Sequence, residues 1–304
     1  MKRKSRSLPL ELMIYRCLNS RMDLAAKEKN HYLNLVKGCE GEKWFDEWLL
    51  ANAGEGIILN DLLFETNNTF YQIDSLFLTA HTIYLFEVKN YEGDFYLERD
   101  KWYSSSKLEI KNPLLQLKRN ESLFRRLLQE NNFSFSIEAY LVFVNPEFHL
   151  YQAPSGHPIV FSSQLNRFAE KLNRKTGSLK GVHSKLASKL LALHAVESPY
   201  LRLPKYRYDE VGKGVVCRRC QSLYHSFNKS VFICANCKNT EEYLPAILRS
   251  IEEFKLLFPE RKITADQIQE WCKLIKTKRT IRKILYDHFE KVGYGKFSYF
   301  KDIR

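Results

Sequence analysis

No run of these 304 residues is long and apolar enough to be read as a membrane span. Ala139 to Val144 is far short of the ~20 residues a spanning helix needs, and charges interrupt everything else. Internal repeats and low-complexity tracts are also missing, which argues against solenoid and fibrous architectures. The first residues are basic and then apolar, but Glu11, Arg16, Arg21 and Asp23 break the apolar part and no small-residue cleavage site follows. A signal peptide is therefore rejected, and Leu10, Met13, Ile14 and Leu18 suit an amphipathic helix instead. Disulfide-like spacing is lacking as well. Cys17, Cys39 and Cys272 are scattered in apolar or helical surroundings and read as reduced thiols, so a cytoplasmic location is expected.

Acidic side chains are in deficit, 35 against 48 Lys and Arg, and the deficit is uneven. Residues 1–200 carry a net +3 and residues 201–304 a net +10. Residues 273–304 alone hold ten basic and three acidic side chains. A basic field of that density attracts polyanions through counterion release, so nucleic acid is the expected partner; without an apolar helix face, no membrane is.

The nearly balanced part holds the chemistry. Gln72-Ile73-Asp74-Ser75 and Glu87-Val88-Lys89 lie on two strand-like runs, 68–79 and 82–89, joined by the short Ala80-His81 break of a hairpin. Glu87 and Lys89, two apart on a strand, share one face. Asp74 and Glu87 offer hard oxygens to Mg²⁺ (or Mn²⁺), and the Val88 carbonyl could add a third. Lys89 beside two carboxylates stays protonated, or shares a proton with an attacking water. A surface salt bridge is the plain alternative.

The surroundings sharpen this reading. Gly38-Cys39-Glu40-Gly41-Glu42 opens a helix with Trp44, Phe45, Trp48 and Leu49 on its apolar side, and Asn112-Pro113-Leu114-Leu115-Gln116 opens another with proline in its first turn. Together with Gln-Ile-Asp and Glu-Val-Lys-Asn-Tyr-x-Gly, these motifs over residues 35–145 resemble the nuclease-related domain family. That family is similar to the PD-(D/E)xK nucleases. The resemblance implies a restriction-endonuclease-like α/β core in the order αβββαβ, with elements over 40–50, 57–64, 70–79, 83–89, 113–129 and 138–144. It also implies that Asp74, Glu87 and Lys89 are catalytic, that Glu42 leans in from the first helix and that Gln116 sits near the scissile phosphate. Glu42 as a helix-capping carboxylate and Gln116 as a solvated residue stay open alternatives.

A second constellation is Cys217-x-x-Cys220 and Cys234-x-x-Cys237. Two such knuckles around a hairpin-like stretch, 222–233, read as a four-cysteine zinc ribbon whose all-sulfur site is closed and structural; His225 is a spare ligand. Beyond it, helices are expected over 245–258, over 265–275 with Thr264 as N-cap, and over 278–290, before a terminal strand or wing at 296–301. The last two resemble a helix-turn-helix unit, with Lys278, Arg279, Arg282 and Lys283 on the nucleic-acid-binding helix. A helical hairpin with a solvated basic face is the alternative.

The expected organisation is an N-terminal amphipathic helix (1–34), a nuclease-like domain (35–196), a linker (197–211), a zinc ribbon (212–242) and a basic helical module (243–304). The expected function is Mg²⁺-dependent hydrolysis of DNA phosphodiester bonds. The rival is a non-enzymatic DNA-binding protein that keeps an inactive nuclease fold as a docking platform.

Overall fold

A computed structural model describes residues 3–153, 156–174, 177–195, 200–228, 230–274 and 277–303. The chain divides into two compact units, Met1–Leu8 with Leu33–Leu201, and Pro9–Tyr32 with Arg202–Arg304. The first unit holds β1 (Arg3–Lys4), β2 (Ile57–Thr66), β3 (Thr69–Leu78), β4 (Thr82–Lys89), β5 (Gly93–Glu98), β6 (Lys101–Ser104), β7 (Glu109–Ile110), β8 (Ser136–Phe143), β9 (Phe148–Tyr151) and β10 (Ile159–Phe161), with α3 (Pro113–Glu130), α4 (Leu165–Arg174) and α5 (Gly181–Leu193). The second holds α1 (Leu10–Asn19), β11 (Ser226–Asn228), β12 (Val231–Ile233), β13 (Thr240–Glu242), α6 (Tyr243–Leu257), α7 (Ala265–Cys272), α8 (Lys278–His288), β14 (Phe289–Val292) and β15 (Tyr299–Asp302). The boundary falls inside α2 (Ala26–Asn52).

The first unit is an open α/β sandwich. Its main sheet runs β1-β2-β3-β4-β8-β10, with β2, β3 and β4 antiparallel and β8 parallel to β4. This is the αβββαβ core. β4 is buried at every position before Lys89, as a strand covered on both faces must be. Phe45 and Leu49 of α2 pack with Phe77, Tyr84 and Phe86 and with Phe168 of α4. Leu117 and Phe124 of α3 and Leu186 of α5 pack with Leu76, Leu85 and Leu141 in a separate core. At the start of α3, Asn112 accepts a hydrogen bond from the Leu114 amide at 2.9 Å, which satisfies one free helix donor.

Three features of this unit differ from expectation. The helix carrying Glu42 starts at Ala26, so Glu42 lies well inside it and caps nothing. Gly38 and Gly41 suggested a helix start, but Gly41 answers to packing: an added Cβ would stand 2.5 Å from the Asn90 Cβ. A second sheet, β7-β6-β5-β9, follows β4, where the sequence reading placed no strands. Tyr91 stacks on Phe95 at 5.3 Å within the aromatic cluster beside that sheet.

The second unit has one core. Ile14 and Leu18 of α1, Phe232 of the ribbon, Ile251 and Phe254 of α6, Trp271 of α7, and Ile281 and Leu285 of α8 all belong to it. Residues 1–34 therefore do not stand apart: their first part joins one unit and α1 joins the other. The expected linker 197–211 is packed as well over its described part, with Tyr208 and Val211 buried in this core; residues 197–199 lie outside the described residues. Its two prolines suggested a connector, but Tyr206, Tyr208 and Val211 give it an apolar side. Thr264 caps α7, accepting from the Gln267 amide at 3.3 Å. Helix α7 ends at Cys272; of the expected remainder, Ile275 lies outside the described residues, as does Lys276 of the following turn. The last helix stops at His288, and the chain turns into an antiparallel hairpin, β14–β15, that includes the expected wing.

Candidate active site and metal centre

The site forms where the main sheet comes apart. The β3–β4 ladder ends at Ser75 opposite Phe86, one residue short of Asp74 and Glu87. On the other side, the β2–β3 register passes from Asn60–Ser75 to Leu62–Ile73 and skips Asp61 and Asp74, with Asp61 held at φ 56°. Asp74 replaces the missing backbone bonds. Its Oδ2 accepts the Val88 amide at 2.8 Å, and its carbonyl accepts Arg6 Nη2 at 2.6 Å.

Arg6 and Asp46 were not singled out in the sequence. Arg6 follows β1 in the first unit and is only 6% exposed. Its Nη1 donates to Glu42 Oε2 at 2.7 Å and its Nε to Asp46 Oδ2 at 3.0 Å. Asp46 in turn accepts the Ser75 hydroxyl at 2.7 Å. Lys89 Nζ donates to Glu87 Oε1 at 2.6 Å, and the amide of Asn120, on α3, donates to the Gln72 carbonyl at 2.9 Å and, more weakly, to Glu87 Oε2 at 3.5 Å. Gln116, one turn before Asn120, is exposed, and no hydrogen bond among the described residues joins it to the acidic group. The α3 side chain that reaches Glu87 is therefore Asn120. The only sequence signal for it was its place one helical turn after Gln116 on an otherwise apolar face.

Asp74 and Glu87 are 6% and 2% exposed. Burial and the neighbouring Asp74 push Glu87 up to about 8 against the pull of Lys89. Burial and Asp74 likewise raise Glu42 to about 8 against Arg6. Asp74 is raised by burial although Lys89, Arg6 and the Val88 amide all favour its charged form. Lys89, despite its own burial, is held protonated by Glu87 and Asp74. Oxygen donors that crowd one another out of water, with two cations already beside them, fit a further hard divalent cation. The fit is open rather than caged: among the described residues, only four sulfurs form a group of three or more ligand atoms of His, Cys, Asp or Glu within 4.8 Å of one another. Mg²⁺ suits such an opening, since it keeps several waters and takes one or two carboxylates.

Those four sulfurs are Cys217, Cys220, Cys234 and Cys237. Cys217 and Cys237 Sγ are 3.7 Å apart and Cys220 and Cys234 Sγ 3.4 Å. A tetrahedron with metal–sulfur bonds of about 2.3 Å has edges of about 3.8 Å, so the sulfurs already hold the spacing of a zinc shell. Ser222, through its backbone and side chain, pulls the Cys220 thiol down to about 6. Cys237, despite the Asn239 amide, is raised to about 11 by burial and the other sulfurs. Binding a cation would release the remaining thiol protons. The cluster could hold a metal such as zinc, and His225 is exposed and outside it.

Of the four basic residues assigned to the last helix, Arg279, Arg282 and Lys283 are exposed, while Lys278 is half-buried and ion-paired with Asp266. No helix among the described residues is long and apolar enough to cross a membrane.

An α/β core that opens on a buried Asp and Glu with a half-buried Lys is consistent with a nuclease-like class of fold. Residues 37–144 carry a nuclease-related domain, matching the model of that family. The matched stretch contains the four motifs quoted above, from Gly38 to Gln116, but not Arg6. No curated protein and no solved structure matches the chain.

Proposed function

We propose that this chain is a metal-dependent nuclease that hydrolyses DNA phosphodiester bonds, and that its C-terminal segment holds the nucleic acid. The observation that carries this reading is the buried, mutually repelling Asp74–Glu87 pair, with Lys89 bonded to Glu87 where β3 and β4 part. A fold kept only for docking has no use for buried charges that work against its own stability. Asp74 and Glu87, with the Val88 carbonyl, would hold Mg²⁺ or Mn²⁺. When bound, the ion supplies Lewis acidity, an activated water and neutralisation of phosphate charge. Lys89, kept protonated by its carboxylate neighbours, stabilises the charge that grows on the phosphate in the transition state. Arg6 fixes Glu42 and Asp46, so that Glu42 faces the site with one oxygen already committed. Asn120 limits rotation of the Glu87 carboxylate. Gln116 is exposed on the same helix and could reach a bound phosphate. Zn²⁺ on the four cysteines is structural and holds the ribbon in the core of the second unit.

The direct test is to incubate the purified chain with Mg²⁺ or Mn²⁺ and linear, circular, branched and single-stranded DNA, with EDTA as control. Metal-dependent cleavage of at least one substrate, lost in Glu87→Gln, is the expected result. Binding without cleavage under every condition would leave the docking-platform reading in its place.

A further inference from the structure

The outer face of the last helix and the hairpin after it carry more than positive charge. Ile281, Ile284 and Leu285 turn one side of α8 into the core. The other side presents Arg279, Arg282, Lys283 and Tyr286, all exposed and spaced three or four residues apart, which puts them on one stripe. The hairpin continues that stripe. Lys291 of β14 lies 5.5 Å from the Tyr286 ring, and Phe300 of β15 meets the same ring edge-on at 5.3 Å. Beyond β14 the chain turns through Gly293 and Gly295, both at positive φ, with Tyr294 between them. The two glycines make the turn, so the backbone does not require an aromatic there. Yet Tyr294 is 93% exposed, and Phe297 on the return is 78% exposed.

Single exposed aromatics are ordinary, but here cations and a ring share the outer side of α8, and two more exposed rings follow within the turn that closes the adjoining hairpin. Phosphates pair with cations, and the π-faces of unpaired bases stack on aromatic rings, a combination that suits single-stranded nucleic acid. A paired duplex keeps its base faces buried in the stack and has nothing to offer Tyr294 unless a step is opened. We infer that this surface binds nucleic acid containing unpaired bases, such as a single strand, an overhang or a fork. The strand's phosphates lie along Arg279, Arg282, Lys283 and Lys291, and a base stacks on Tyr294. The inference rests on the nucleic-acid-binding role proposed for this segment and narrows it to a substrate shape.

The test is fluorescence anisotropy with the full-length chain in EDTA and fixed salt, so that cleavage plays no part. The probes are a single strand, a forked duplex and a blunt duplex, each as DNA and as RNA. Tyr294→Ala should weaken binding of the single strand and fork by about tenfold and blunt-duplex binding by less than twofold. Tyr294→Trp should restore the lost affinity, which a merely structural role for the tyrosine would not predict. Tyr294 is solvent-facing, and an unchanged melting temperature checks that the variants fold. Equal affinities of parent and Tyr294→Ala for all three shapes, with an intact salt dependence, would overturn this inference and leave the nuclease reading standing. If no probe binds the parent chain, the inference falls together with the nucleic-acid-binding role, while cleavage by the first unit would still be detectable. Equal losses on DNA and RNA fit base stacking; a loss on RNA alone would contradict it.

Discussion

The two units differ in how their buried charge is matched. In the first, the Arg6 side chain, Asp46, Asp74 and Glu87 are buried together at a break in the sheet, and burial disfavours the charged forms of Asp74 and Glu87 despite the cations beside them. In the second, the buried Arg21 and Glu241 are each matched by an opposite charge, Glu253 and Arg249, while the cations of α8 are mostly exposed. Buried charge is expensive in a folded chain unless it is paired or put to use, whereas exposed charge costs little and acts at a distance. The contrast suggests chemistry in the first unit and grip in the second.

Removing metal from the sulfur cluster should have the largest effect and should sharpen the contrast. Structural zinc sites contribute on the order of 10 kcal/mol to small modules, and Cys217 and Cys234 lie in the core of the second unit. Chelation should therefore raise hydrogen exchange across residues 215–257 and leave β2–β4 protected. Equal loss of protection in both units would break the comparison.

Arg6→Ala comes next. It leaves Glu42 and Asp46 buried without their guanidinium and the Asp74 carbonyl without its donor, at a cost of about 3–5 kcal/mol to the first unit. Denaturant unfolding followed by a probe in each unit should show the loss in the first alone. Gly41→Ala should cost less, about 1–3 kcal/mol, because its Cβ must push the Asn90 side chain off α2 and off the Lys37 carbonyl it bonds at 2.8 Å.

The smallest effect is on salt dependence. Neutralising Arg279, Arg282 and Lys283 together should flatten the slope of log affinity against log salt by about 0.9 for each phosphate that is no longer paired with a cation, with no change in melting temperature. An unchanged slope would show that the basic stripe faces water or a protein.

The α/β core was legible because strands rich in Ile, Leu, Phe and Tyr are bounded by short polar breaks, and because Asp74, Glu87 and Lys89 are too costly in such strands to be ornamental. The cysteine knuckles were legible from spacing alone. Other parts depend on distant partners. The first turns of α2 are polar with no clear apolar stripe, so their helicity could not be read, and Glu42 looked like a cap. Arg6 sits in a basic leader that resembles a solvated tail; only its ion pairs with α2 and the open ladder at Asp61 explain it. Asp46 and Asn120 were not singled out, because their partners Arg6, Ser75, Gln72 and Glu87 are distant in the sequence. Gln116 was taken from a motif, which gives the helix but not which turn faces the carboxylates. Phe289 and Glu290 read as more helix because His288 carries no stop signal.

The central claim is that buried charge in the first unit performs catalysis, and Asp74→Asn tests it most directly. The amide oxygen can still accept the Val88 N–H, so the local structure is kept while the negative charge is removed. Cleavage with Mg²⁺ on the best DNA substrate should fall by at least about 10²-fold, with melting temperature and DNA affinity in EDTA unchanged. Cleavage at the parent rate by a folded Asp74→Asn chain would contradict the account.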